Sequence, residues 1–333
     1  MVLDRRSLLR ASVVLAGAEL LGLRASWGGT AAFAPSLSPL PMRASTPSTL
    51  ASAQITSVHP VPGTRAGSGL VRYRERLLLV QDDAYMAAWL DPYSRPIQAR
   101  FIALGQDSGP LPKPQKPDFE AAARLPDGRV LIMGSGSAPT RRFFLLLDPR
   151  TDAFVVLDAG PVYDAIAQGL GGAVNVEGVV AQPDGLLLFN RGNSTGGNAV
   201  VRVGVRVDAP SICKIMAVTR WQLGDLAGVS RPVPLGFTDA EQGPDGRLWY
   251  LAAAEDTSDP VADGQVVGSV IGVLGADSGS WTPLIEADGT RSRRKFEGLA
   301  LDPDGSGGWL VTDADSPDRP AELCRVSLRG LAP

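Results

Sequence analysis

The stretch Lys295-Phe296-Glu297-Gly298-Leu299-Ala300-Leu301-Asp302-Pro303-Asp304-Gly305 (KFEGLALDPDG) decides the reading, because the chain repeats it. DFEAAARLPDG (118–128) and NVEGVVAQPDG (175–185) share its layout, and FTDAEQGPDG (237–246) is a near copy. Each runs from a hydrophobic residue through a polar one to Pro-Asp-Gly. The polar residue stands six places before the proline: Glu120, Glu177, Thr238 and Glu297 precede Pro126, Pro183, Pro244 and Pro303. A degenerate fifth copy places Ser68 six residues before Arg74, in the turn Arg74-Glu75-Arg76. The five polar residues recur at spacings of 52, 57, 61 and 59. Such a period calls for an architecture that sets equivalent positions side by side.

Around these motifs the chain reads as strands split by tight turns. In the second repeat, Phe119–Leu125, Arg129–Gly134, Arg142–Asp148 and Ala153–Leu157 alternate with Pro-Asp-Gly and Asp-Pro-Arg-Thr-Asp turns, in which proline presets φ and Asp or Gly closes the turn. Four short antiparallel strands per 50–60 residues make a propeller blade. Strands are expected likewise over Leu77–Val80; over Leu186–Phe189, Ala199–Val207 and Cys213–Leu223; and over Leu248–Ala252, Val266–Leu274 and Trp281–Ile285. The last repeat has only Phe296–Leu301, Trp309–Thr312 and Ala321–Leu328 before the chain ends, one strand short. Gln54–Val58 alternates like a strand and has no repeat of its own, so it is assigned as the outer strand that closes the ring and removes an open edge. The expected fold is an all-β, five-bladed β-propeller spanning residues 54–333.

Composition bounds the chemistry. The 333 residues include 38 Gly and 27 Pro with 44% hydrophobic residues, a turn-dense globular composition. A net charge of −3 argues against nucleic-acid binding. Cys213 and Cys324 lie in different repeats and read as buried thiols. A single histidine, His59, removes His-based zinc sites and nearly removes histidine general-base chemistry; it is placed in a linker entering the first blade.

Residues 1–34 read as an export signal. Asp4-Arg5-Arg6-Ser7-Leu8-Leu9-Arg10 resembles the twin-arginine motif, and Ala11–Leu23, interrupted by Glu19, is too short to span a membrane. Ala32-Phe33-Ala34 and Ala51-Ser52-Ala53 both offer small-residue cleavage sites. Residues 35–53 read as a Pro/Ser/Ala-rich linker. The expected protein is a periplasmic or extracellular monomer with no membrane span after processing.

Propeller geometry brings the inner strands around one axis, so Ser68, Glu120, Glu177, Thr238 and Glu297 should face a common channel. Three carboxylates and two hydroxyls there demand either raised pKa values or a cation. Oxygen donors without His or Cys suit calcium. The alternative is that each glutamate accepts hydrogen bonds or pairs with an arginine near its own blade.

The order Ser, Glu, Glu, Thr, Glu, one residue per blade, resembles the calcium-dependent apyrases, five-bladed nucleotidases that hold a central calcium through Ser, Glu, Glu, Ser and Glu. The resemblance implies that Ser68, Glu120, Glu177, Thr238 and Glu297 face calcium, with Thr in place of the fourth Ser. Those enzymes carry Asp-Asp-Arg-Thr-Gly after the second strand. Here Asp82-Asp83-Ala84-Tyr85-Met86 keeps the acidic pair and lacks the rest, so the resemblance reaches the metal set and not the nucleotidase chemistry. FEGLALDPDG and VTDAD also resemble phytase-like (esterase-like) bacterial propellers, and the layout resembles an exported bacterial family of unknown function.

The face carrying the loops collects Lys113, Lys116, Arg141, Arg142, Arg191, Arg231 and the run Arg291–Lys295, together with Asp82, Asp83, Glu255, Asp256, Asp313 and Asp315. Basic groups around a divalent cation suit an anionic small molecule. Two function classes follow. In one, calcium locks the blades of a binding propeller. In the other, a calcium-dependent hydrolase of phosphoanhydrides or esters uses Asp82 or Glu255 as base and Arg191 as charge stabiliser. Gly192-Asn193-Ser194-Thr195-Gly196 matches a nucleophile elbow but lacks the strand-turn-helix setting and the histidine. Gly134-Ser135-Gly136-Ser137 lacks the Lys-Ser/Thr of a P-loop and reads as a flexible loop.

Overall fold

The structure is a computed structural model, and it describes residues 42–49, 51–105, 109–192, 197–228, 231–256, 264–314, 316 and 318–331. The export motif, its cleavage pattern at Ala32–Ala34, Asn193–Gly196 and Asp315 lie outside the described residues. Two strands open the described chain, β1 (Met42–Pro47) and β2 (Ser52–Pro60). Antiparallel meanders then follow one another. The first is β3 (Gly67–Tyr73), β4 (Arg76–Gln81), β5 (Met86–Asp91) and β6 (Gln98–Ala103). Next come β7 (Phe119–Arg124), β8 (Val130–Gly134), β9 (Phe143–Leu147) and β10 (Phe154–Asp158), followed by helix α1 (Gly160–Leu170). β11 (Val176–Gln182), β12 (Gly185–Asn190), β13 (Asn198–Val205) and β14 (Cys213–Gln222) make another, and the short β15 (Asp225–Ala227) leads on from it. β16 (Pro232–Gln242), β17 (Leu248–Asp256), β18 (Gln265–Leu274) and β19 (Ser278–Ile285) precede the final β20 (Lys295–Leu301), β21 (Gly307–Asp313) and β22 (Glu322–Arg329).

The Pro-Asp-Gly turns form for local reasons. Gly128, Gly246 and Gly305 take φ of 89°, 81° and 70°, a region costly for residues with a Cβ. The turn aspartates Asp127, Asp245 and Asp304 each accept the amide two residues on, at 2.9, 3.0 and 3.0 Å. Between the meanders the first strands pack on one another in a cycle: β3 on β7, β7 on β11, β11 on β16, β16 on β20, and β20 on β3. Apolar side chains fill the spaces between neighbouring sheets, as with Phe189, Phe237 and Tyr250, whose rings meet edge to face. This is a β-propeller, and β2 closes it, pairing antiparallel with β22 over Ser52–Pro60.

Three local expectations are corrected. Met42–Pro47, read as linker, is a strand that pairs in parallel with β14 on one side and β19 on the other. Its Ser45 hydroxyl reaches the buried Tyr250 Oη at 2.8 Å. His59 lies inside β2 opposite Leu323, with Nε2 3.1 Å from Ser57 Oγ, because β2 runs past the point where the alternation was read as ending. Gly134–Ser137 is not a loose loop: Ser135 is fully buried, and Gly136 leaves room for the Tyr163 ring, whose hydroxyl donates to the Gly134 carbonyl at 2.5 Å. That ring comes from α1, which carries Pro161 in its first turn and Gly171 in the left-handed conformation at its end. The two cysteines are free; Cys324 is buried and Cys213 half-buried.

Because β1 supplies backbone partners to two outer strands, a chain lacking residues 1–41 should melt like the whole protein. A chain lacking residues 1–49 should melt at a lower temperature, since it bares the edges of β14 and β19 and leaves Tyr250 Oη buried without Ser45, a loss of about 1–3 kcal/mol. Equal melting temperatures would show that β1 contributes nothing.

Candidate functional site

In every first strand the antiparallel register slips by one residue, and the extra residue is the one picked out by the repeat. Ser68 sits in the slip between Gly67 and Gly69, and Glu120 in that between Phe119 and Ala121. Glu177, Thr238 and Glu297 occupy the slips at Val176/Gly178, Phe237/Asp239 and Phe296/Gly298. A bulge leaves its extra residue unpaired and re-aims its side chain, which is why bulges gather beside functional sites. The two hydroxyls donate to the carbonyl preceding a neighbouring bulge. Ser68 bonds Phe119 O, and Thr238 bonds Phe296 O at 2.7 Å. Each therefore staples two first strands together and keeps lone pairs free to accept or ligate.

A second layer lies two residues earlier on the first strands and at the ends of the second strands. Gly236 pairs there with Ala253 and Lys295 with Asp313, while the amides of Asp82, Ser135 and Arg191 donate to the carbonyls of Ala66, Asp118 and Asn175. A backbone chain runs around part of it: Asp82 N to Ala66 O, Asp118 N to Asp82 O, Ser135 N to Asp118 O, and Val176 N to Ser135 O, at 2.8–3.1 Å. At Gly236 the layer is open, and Arg191 lies across it: a Cβ there would stand 2.9 Å from Arg191 Nε.

The charges fall into two groups. Lys116 binds Asp82 and, at 2.9 Å, Asp118 Oδ1, while Arg141 Nη1 reaches Asp118 Oδ2 at 2.9 Å. Ser135 Oγ also donates to Asp118. Around the axis, Arg191 Nη2 binds Glu255 Oε1 at 2.7 Å and Nη1 stands 3.8 Å from Glu177 Oε1. Lys295 Nζ holds Glu297 at 2.8 Å and Glu255 at 3.6 Å. Asn175 Nδ2 donates to Glu177 at 2.5 Å. Glu120 differs, for among the described residues nothing donates a hydrogen bond to it. Its carboxylate lies with those of Asp82 and Asp118 in a cluster whose oxygens fall within 4.8 Å of one another.

A family model described as "Family of unknown function (DUF6929)" matches residues 63–328, most of the chain and every bulge. The protein belongs to the DUF6929 family. No curated protein matches it. Similar solved structures include a glutaminyl cyclase of Myxococcus xanthus, at 13% identity over 89% of this chain and 100% of that one, with a TM-score of 0.48. They also include the PQQ-bound aldose sugar dehydrogenase of Streptomyces coelicolor, at 12% identity over 85% and 100%, with a TM-score of 0.40. The PQQ domain of pyranose dehydrogenase from Coprinopsis cinerea is 14% identical over 86% and 100%, with a TM-score of 0.38.

In this DUF6929 protein the two layers hold seven carboxylates (Asp82, Asp118, Glu120, Glu177, Glu255, Glu297, Asp313) and four cations (Lys116, Arg141, Arg191, Lys295). Among the described residues, seven less four leaves three more carboxylates than cations in these layers. Three groups respond. Burial raises Asp82 and Glu177 above the ordinary carboxylate range, and burial together with Asp118 and Glu177 raises Glu120 far above it. Glu255 goes the other way: burial opposes its charge, yet Arg191 and Lys295 outweigh burial and hold it low. Of the residues expected from sequence, the structure sets Asp82 and Glu120 in one group and Arg191, Glu177, Glu255 and Glu297 in the other. Sequence reading missed Asp118, Asn175 and Ser135 as partners, although Asp118, Asn175 and Lys295 each stand two residues before a bulge glutamate. Of the expected rim, Arg142 and Arg231 instead pair outward, with Asp164 and Asp256 at 2.7 and 2.9 Å.

Just beyond Thr238, two further acids of β16 stitch it to β20. Asp239 accepts the Leu299 amide at 2.6 Å and Glu241 the Leu301 amide at 2.7 Å. Burial pushes Glu241 up to about 8 in spite of that amide and Arg72, so the folded protein holds its proton more tightly than the unfolded chain does. The resulting stability is complete below the usual carboxylate pKa and is lost as pH rises through about 8. Melting from acid to mildly alkaline pH should show this decline, and Glu241→Gln, which keeps the acceptor and cannot ionise, should flatten it. An unchanged slope in the variant would assign the decline elsewhere.

Proposed function

We propose that the protein is an exported, five-bladed binding propeller whose bulge ring takes up a divalent cation, with calcium the best match to its donors. The observation that carries the reading is the crowding of Asp82, Asp118 and Glu120, whose oxygens fall within 4.8 Å of one another, with Glu120 receiving no hydrogen bond from any described residue. Among the described residues, Glu120 alone of the three ring glutamates belongs to that cluster. In the proposed reading Glu120 anchors the ion, Glu177 and Glu297 would turn from their present partners toward it, and Ser68 and Thr238 would offer hydroxyl oxygens whose protons are already committed to backbone carbonyls. A hard cation with several oxygen ligands is what that set suits. Bound there, the ion would supply positive charge shared by all five first strands. Lys116, Arg191 and Lys295 are engaged by the site's own carboxylates, so the anionic small molecule that we assign to this propeller is met by other cations.

The same geometry favours binding over hydrolysis. Glu255, a candidate base, is held ionised but spans Arg191 and Lys295; Asp82, the other, is clamped by Lys116. Arg191 is engaged by two carboxylates rather than aimed at open space. These side chains position charge and have little freedom to accept a proton from water. Release of phosphate or alcohol from any phosphoanhydride or ester in a calcium-dependent assay would favour the hydrolase reading instead.

Cation binding stabilises the folded state by RT ln(1 + [L]/Kd), about 2.7 kcal/mol at a hundredfold excess over Kd. Calcium should therefore raise the melting temperature of the wild type and chelator should lower it. Glu120→Gln should blunt both effects, because it removes a ligand together with one of the crowded charges. A wild-type protein indifferent to calcium and chelator, and free of bound metal by elemental analysis, would sink the reading.

A further inference from the structure

We propose that a second site, in the cavity between β15, the facing ends of β17 and β18, and the loop 286–294, binds the phosphate group of a small phosphorylated molecule. This rests on the anionic-ligand part of the reading above and assigns that ligand a place separate from the cation ring. The cavity has a volume of about 920 Å³, ample for a small metabolite. It lies one backbone layer from the ring. Glu255 and Lys295 meet around the axis, while their chain neighbours Asp256 and Arg294 line the cavity.

Two of the cavity's three acids are paired with arginines, and the third is held by neutral donors. Asp256 is held by Arg231 at 2.9 Å and Glu286 by Arg294, while Asp288 accepts the Thr290 hydroxyl at 2.7 Å and the Thr290 amide at 2.9 Å. Two guanidiniums remain. Arg291 makes one bond, to the Ala227 carbonyl at 3.3 Å, and Arg293 has no hydrogen bond or ion pair with any described residue. The two flank the fully buried Ser292 and both line the cavity. Arg291 is also seated. Its backbone bridges Ile285, and its stem crosses Gly268, where a Cβ would stand 2.7 Å from Arg291 Cδ. A pair of arginines two residues apart, one anchored along its stem, presents forked donors to a tetrahedral dianion better than to a single carboxylate.

The test is calorimetric titration of the full-length protein with inorganic phosphate, and with succinate as a carboxylate control, in calcium and in chelator. Saturable phosphate binding is expected under both conditions, weakened about tenfold or more in the double variant Arg291→Gln/Arg293→Gln and retained in Glu120→Gln. Arg293→Gln alone, an exposed change, keeps the result readable if the double variant does not fold. The proposal is overturned if phosphate does not bind, if the arginine variants bind it unchanged, or if succinate binds as well. Binding lost in chelator and in Glu120→Gln would place the anion on the ring cation and also overturn it. Failure of calcium to stabilise the wild type, by contrast, leaves the phosphate result standing by itself.

Discussion

An extra residue in the first strand of each repeat is the constraint on which the site depends. Strands around one axis normally point alternate side chains into the spaces between sheets, where Phe119, Phe237 and Phe296 are fully buried. A bulge breaks that alternation for one residue and re-aims its side chain. Five such breaks set Ser68, Glu120, Glu177, Thr238 and Glu297 at equivalent positions of first strands that pack on one another in a cycle. Two of them serve at once as fasteners between neighbouring first strands, so the fold and the site share atoms.

Crowding acids in this way is costly, and the surrounding residues show how the cost is met. Lys116, Arg141, Arg191 and Lys295 come from loops and strand ends on different repeats and converge on the same two layers. Space is made for them where needed: Gly236 and Ala253 leave the fourth position of the second layer empty enough for Arg191 to lie across it and reach Glu255. Even so the neutralisation is incomplete, and burial turns the remainder into raised pKa values at Asp82, Glu120 and Glu177. In the proposed reading such a site takes up protons or a cation, and its oxygen-only donors suit a hard one.

The sequence made legible what is local and periodic. Pro-Asp-Gly marks a turn through the φ of its glycine and the reach of its aspartate, and the polar residue six places earlier marks the bulge. Both lie within one hairpin, so a single repeat suffices to show them. What stayed hidden depends on contacts across repeats. Lys116 and Asp82 are 34 residues apart and Arg191 and Glu255 are 64, and no pattern within either segment announces the pair. Met42–Pro47 has the composition of a linker and becomes a strand only because β14 and β19 leave a slot for it. Helix α1 is written in the spacing of Val162, Tyr163, Ile166 and Leu170, a single helical period set among strand periods. His59 lies within β2 although the alternation weakens before it, because pairing with β22 continues to Pro60.

The central claim is that protons and a divalent cation compete for the same surplus carboxylates. Calcium titration by calorimetry, repeated in buffers of different ionisation enthalpy near neutral pH, measures the protons released per ion bound. The account predicts proton release on calcium binding, with affinity rising as pH rises, because burial raises Asp82, Glu120 and Glu177 and a bound cation favours their charged forms. Binding with no proton release and no dependence on pH would contradict it.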